Sequence, residues 1–154
     1  MDLTPGAAGF ICSNQPPMLV ACMMAPLKIL AEAGGVRATR RKSLLLTGYL
    51  ELLLQQRGLA PASAVADGAR GVEIVTPADP AARGCQLSLR IISKRPAAEA
   101  PLTMKVLGQM LDERGATVDE REPDIVRVAP APIYNSFRDV QRFVDLLAEC
   151  LKAE

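Results

Sequence analysis

Residues 85–91 read CQLSLRI, an unbroken alternation. It puts Cys85, Leu87, Leu89 and Ile91 on one face of an extended chain and Gln86, Ser88 and Arg90 on the other. A period of two with one apolar side marks a strand that covers a core on that side. Upstream, Gly71–Thr76 carries Val72, Ile74 and Val75 and reads as a second strand, reached through a loop at 59–71 rich in Ala, Gly and Pro. Downstream, residues 102–114 set Leu102, Val106, Leu107, Met110 and Leu111 on one side of a helix that Gly115 ends. Two short strands are expected at 116–119 and 125–129, around a turn at Pro123. The last helix opens at Ser136, where Asp139 stands three residues on in the spacing of a capping box. Its apolar stripe is Phe137, Val140, Phe143, Val144, Leu147 and Leu151.

The N-terminal third is helical in pattern. After a turn-rich opening over residues 1–17, a helix is predicted at 18–33 and stopped by Gly34-Gly35, and a longer one runs over 36–56 and ends at Gly58. In the longer helix Ser43, Thr47, Glu51 and Gln55 recur every fourth position, while nearly everything else from Leu44 to Leu54 is apolar. That pattern predicts a narrow polar face on a helix buried around most of its circumference. The element order is two helices, two strands, a helix, two strands, a helix. It implies an α+β fold, a small and mostly antiparallel sheet covered on one face by helices.

Composition narrows the function. The chain has 154 residues, enough for one domain with a real core, and 49% of them are hydrophobic with a formal net charge of +1. Charges this balanced leave no footprint for nucleic acid or for an anionic lipid surface. The one basic run, Arg37, Arg40, Arg41 and Lys42, has no aromatic residues interleaved and reads as a solvated helix start. The longest apolar run, Met18–Leu27, is too short to span a bilayer and is flanked by prolines, so a cytoplasmic location is the expectation. Cys12, Cys22, Cys85 and Cys150 are scattered and read as buried free thiols, and with no histidine a metal site is not expected. The missing histidine also excludes a Ser-His or Cys-His nucleophile pair within these residues.

Three segments, read in order, resemble the C-terminal domain of the kynureninases. They are GFICSNQPPMLV at 9–20, RRKSLLLTGYLELLL at 40–54, and the pair RGCQLSL at 83–89 with IVRVAPAPIYNSFRDV at 125–140. The resemblance implies the C-terminal small domain of fold-type-I pyridoxal-phosphate enzymes, with residues 1–25 as an interdomain and interface segment and 26–154 as the small domain. It implies hydrolysis of kynurenine or 3-hydroxykynurenine to anthranilate or 3-hydroxyanthranilate plus alanine, in a homodimer. In that family the Schiff-base lysine, the aspartate facing the pyridine nitrogen and the ring-stacking aromatic belong to the large domain. No lysine here stands in a matching context, so no catalytic residue is assigned, and the chain alone is expected to be inactive. A lysine-bearing large domain or a homodimer partner is implied.

The same resemblance marks two residues. Arg127 lies among Ile125, Val126, Val128 and Ala129, where a guanidinium that cannot lose its charge needs an anion if buried. The family's matching arginine grips the α-carboxylate of the amino-acid substrate; the other reading is an edge-strand arginine that faces water or pairs with Asp124. Asn14 matches a family asparagine that contacts the cofactor phosphate. The extra residue Gln15 leaves that role open to Gln15, and Asn14 could instead cap the helix after Pro16-Pro17. Tyr134, Asn135 and Ser136 read as the turn and cap of the last helix, and Arg83, Gly84 and Cys85 as the start of a strand. A second function class stays open, a non-catalytic ligand- or protein-binding module derived from this domain. The small domain of a cysteine desulfurase or transaminase is disfavoured by RVAPAPIYNSF at 127–137.

Overall fold

The computed structural model describes residues 4–11, 13–95 and 102–153. Two compact units are present, Met1–Thr39 and Arg40–Glu154.

The first unit holds a 3-10 turn at Gly6–Phe10, helix α1 at Pro17–Glu32, and the first turn of helix α2, Gly35–Gln56. Proline opens α1 because a first-turn residue has no N–H partner to lose. Pro16 is the N-cap and no side chain caps it, so the capping role considered for Asn14 does not hold. Gly34 breaks the chain between α1 and α2 at φ 89°, a left-handed conformation that suits glycine. No residue of α1 is buried, and Phe10, Ile11, Met18, Leu19 and Val20 all stand exposed. Among the described residues no single helix is long and apolar enough to cross a membrane.

The second unit is a four-stranded sheet with helices on one face. Its strands are β1 (Arg70–Ile74), β2 (Leu87–Ser93), β3 (Asp119–Arg121) and β4 (Ile125–Val128), in the order β1-β2-β4-β3, and every pairing is antiparallel. Helices α3 (Met104–Asp112) and α4 (Phe137–Lys152) join the body of α2 to complete the core. Leu87 and Leu89 of β2, Val126 and Val128 of β4 and Val72 of β1 meet Leu46, Leu50 and Leu54 of α2, Leu107 and Leu111 of α3, and Val144, Leu147 and Leu151 of α4. Full burial of each such side chain stabilises the fold by about 1.5–3 kcal/mol. The capping box is formed: the Ser136 hydroxyl accepts the Asp139 N–H at 3.3 Å, and Asp139 Oδ2 accepts the Ser136 N–H at 2.7 Å. Asn135 Oδ1 accepts the Ala131 N–H at 2.7 Å, closing the turn before it.

Several expectations are corrected. In α2 the supposed polar face points partly inward: Ser43 and Thr47 are buried, while Leu44, Leu45 and Leu52 are exposed. A helix lying on a sheet buries one stripe at three- and four-residue spacing, here Ser43, Leu46, Thr47, Leu50 and Leu54, so it cannot be buried most of the way round. On α3 the buried stripe is Met104, Leu107, Gly108 and Leu111, which leaves Val106 48% exposed. Phe137 stands half-exposed at the start of α4, its ring edge-on to Tyr49 at 5.5 Å. The strand expected at 116–119 is displaced to Asp119–Arg121. The strand expected from Cys85 begins at Leu87, where its ladder with β4 ends at Val128, and Arg83 before it is held by Glu51 of α2 and by the Pro77 carbonyl. Among the described cysteines Cys150 is buried as expected, Cys85 is half-buried and Cys22 is exposed; Cys12 lies outside the described residues.

One packing contact yields a test. At Gly71 of β1 an added Cβ would stand 2.7 Å from the Leu59 carbonyl oxygen and 2.3 Å from Val65 Cγ2, because the 59–65 segment lies directly on the strand. Val72 also donates its N–H to that Leu59 carbonyl, at 2.8 Å, so the segment cannot back away without losing a strand contact. Gly71→Ala is therefore expected to destabilise the protein by about 1–3 kcal/mol. Gly84→Ala, where a Cβ meets nothing within 4 Å, is the control and should leave Tm in place. Equal melting of both variants would contradict the packing.

Candidate functional site

Alternation divides the sheet chemically. The registers that turn Leu87, Leu89, Val126 and Val128 to the helices turn their neighbours the other way. The second face therefore carries Glu73, Ser88, Arg90, Ile125, Arg127, Asp119 and Arg121. These side chains are wet: Arg90 is 42% exposed, Glu73 46% and Arg127 33%. Two ion-pair groups organise the face. Arg90 bridges Glu73 at 2.8 Å and Asp124 at 3.2 Å. Arg127 binds Asp119, donating from Nε to Oδ2 at 2.7 Å and from Nη2 to the same oxygen, while Arg121 Nη2 reaches that oxygen at 2.9 Å.

The anion beside Arg127 is thus Asp119, and Asp124 belongs to Arg90 instead. The reason is the hairpin. Its register sets Asp119 opposite Arg127, Glu120 opposite Val126 and Arg121 opposite Ile125, a reflection about Pro123. Asp124 sits inside the turn, three residues before Arg127 and outside the paired register. Asp119 was not singled out in the sequence, although reflecting Arg127 through the expected turn at Pro123 identifies it.

A separate cleft of about 260 Å3 opens beside the N-terminal end of α4, lined by Thr117, Val118, Val128, Pro130, Asp139 and Phe143 among others. Asn135 and Asp139 at its edge are committed to the turn and the capping box, and Arg127 does not line it. Asn14 lies in the first unit and is exposed. Of the lysines, Lys94 donates to the Val65 carbonyl and Lys105 pairs with Glu122 at 3.4 Å.

Residues 39–147 match the family model described as the kynureninase C-terminal domain. The chain belongs to the kynureninase family. It is 44% identical over 148 residues to kynureninase 1 of Chaetomium globosum, which covers 96% of this chain and 27% of that protein. It is 40% identical over 151 residues to the kynureninase of Mus musculus, covering 98% of this chain and 30% of that one. Among solved structures, a phospholyase from Arthrobacter in complex with phosphoethanolamine aligns with a TM-score of 0.49 and 17% identity, over 89% of this chain and 28% of that chain. The chain thus spans under a third of the length of these kynureninases and corresponds to their C-terminal part.

The Asp119 carboxyl is held below the usual carboxylate range, chiefly by the hydrogen bond from Arg127 and further by the nearby charges of Arg121 and Arg127. A depressed folded-state value means the interaction is present above the ordinary carboxylate pKa and is lost as pH falls through the lowered one. Carboxyl-carbon NMR should therefore show Asp119 titrating below the chain's unpaired aspartates, and Arg127→Ala should move it back up. An unshifted Asp119 in the wild-type chain would contradict the pairing.

Proposed function

We propose that this chain supplies the substrate-carboxylate side of a kynureninase active site, in an enzyme that cleaves kynurenine or 3-hydroxykynurenine to anthranilate or 3-hydroxyanthranilate and alanine. The observation that carries the reading is Arg127, a permanent cation held on the open face of the sheet in a member of this family. A planar fork of donors matches a carboxylate in a way a lysine point charge cannot. Arg127 binds the α-carboxylate and fixes the amino acid's orientation in a cleft completed by a lysine-bearing large domain.

The cofactor of this reading is pyridoxal phosphate, which supplies an electron sink for cleavage next to the amino-acid carbon. Asn14, exposed and capping nothing, is assigned to the phosphate, with Gln15 beside it. Lys94 and Lys105 are engaged elsewhere, and the imine lysine is assigned to the large domain. The exposed Phe10, Ile11, Met18, Leu19 and Val20 are the surface this reading gives to that domain or to a partner subunit. The enzyme so described is a cytoplasmic homodimer.

Charge-assisted hydrogen bonds of the Arg–carboxylate kind are worth about 1.5–3 kcal/mol. In the assembled enzyme Arg127→Ala is therefore expected to lower kcat/KM by at least roughly tenfold, and further where a misplaced substrate also loses alignment. Arg127→Lys should recover part of the loss, while cofactor binding stays as in the wild type. A folded Arg127→Ala enzyme with unchanged kcat/KM would end the assignment. If only Tm falls, Arg127 serves the sheet and not the substrate.

A further inference from the structure

We propose that Asp119 is the positioning residue for Arg127: it grips one edge of the guanidinium so that the other edge is presented to the substrate carboxylate. The inference rests on the assignment of Arg127 to that carboxylate and adds a residue to it.

A guanidinium has two edges able to meet a carboxylate, one formed by Nε and the adjacent terminal nitrogen, the other by the two terminal nitrogens. Asp119 Oδ2 accepts from Nε at 2.7 Å and from Nη2, which occupies the first edge with a single oxygen. Among the described residues Arg127 Nη1 donates to nothing, so the terminal edge remains open. On the other flank Arg127 faces Ser88 across β2 and β4, a small neutral side chain that neither fills the edge nor competes in charge.

Three features make Asp119 a clamp and not a stand-in for substrate. It is directly opposed to Arg127 across β3 and β4, so the backbone fixes the separation of the two Cα atoms. Its Oδ2 is also bonded by Arg121 at 2.9 Å, which anchors the carboxylate on its own strand when Arg127 takes a ligand. The trio of Arg121, Asp119 and Arg127 still carries a net positive charge, two cations against one anion, so the site keeps its attraction for an incoming carboxylate. An arginine left unclamped has many rotamers, and ordering it would fall on the binding step.

The test uses the assembled holoenzyme with kynurenine, comparing wild type, Asp119→Asn, Asp119→Glu and Arg127→Ala. Asp119→Asn is expected to raise KM about tenfold while kcat changes by less than about threefold, and Asp119→Glu to restore part of the KM. A lowered KM in Asp119→Asn would show that Asp119 competes with substrate, and an unchanged KM would show that it does not position Arg127; either overturns the proposal. Because Arg127→Ala is measured beside it, a silent Asp119 with a damaged Arg127→Ala removes only the clamp. A silent Arg127→Ala removes the carboxylate assignment itself. A second readout needs no turnover: in the full 154-residue chain the Arg127 Nε–H should exchange slowly with water, and Asp119→Asn should abolish that protection. Protection that survives Asp119→Asn would also overturn the clamp.

Discussion

Each strand of this sheet can turn only every second residue toward the helices, and the second unit is organised by that constraint. With α2, α3 and α4 on one face, Leu87, Leu89, Val126 and Val128 close the core. Their alternating neighbours have nowhere to go but the open face, where Arg90, Arg127, Glu73 and Asp119 gather without any need to be buried. Placing Arg127 in the core would have required neutralising a charge that cannot be titrated away. On the open face a partly hydrated pair with Asp119 suffices. A half-exposed pair of this kind contributes little to stability, which leaves its geometry available for use.

The same constraint fixes where each charged side chain finds its partner. Arg83, only 4% exposed, reaches back to Glu51 on α2 and ties the segment before β2 to the helix layer. Arg90 holds β1 to the β3–β4 turn through Glu73 and Asp124. Arg127 and Arg121 share the carboxylate of Asp119. The pairs of Arg90 and Arg127 join neighbouring strands and the β3–β4 turn across the open, hydrated face.

Much of this was legible in the sequence. The alternation of residues 85–91 and the Ser136–Asp139 spacing each carried a local rule the fold obeys, and four strands and four helices follow from such rules. What was not legible depends on neighbours distant in sequence. Ser43 and Thr47 look like a solvent face until a sheet is laid against α2, and Val106 looks like core until α3 is rotated to bring Gly108 inward. The partner of Arg127 depends on strand register, which shifts by a whole residue with the turn. Proximity in sequence favoured Asp124, whereas the hairpin about Pro123 selects Asp119. Arg127 itself could be marked from its apolar surroundings, but the role proposed for it rests on the family resemblance.

On the reading proposed above, this chain furnishes one side of a kynureninase site whose lysine-bearing side comes from the large domain. Anthranilate fluorescence measures it directly. The chain is incubated with kynurenine and pyridoxal phosphate, first alone and then with a kynureninase large domain that carries the lysine. The expected result is no anthranilate from either part alone and steady formation when a stoichiometric complex forms. Anthranilate from this chain by itself, or a stable complex that stays silent, would contradict it.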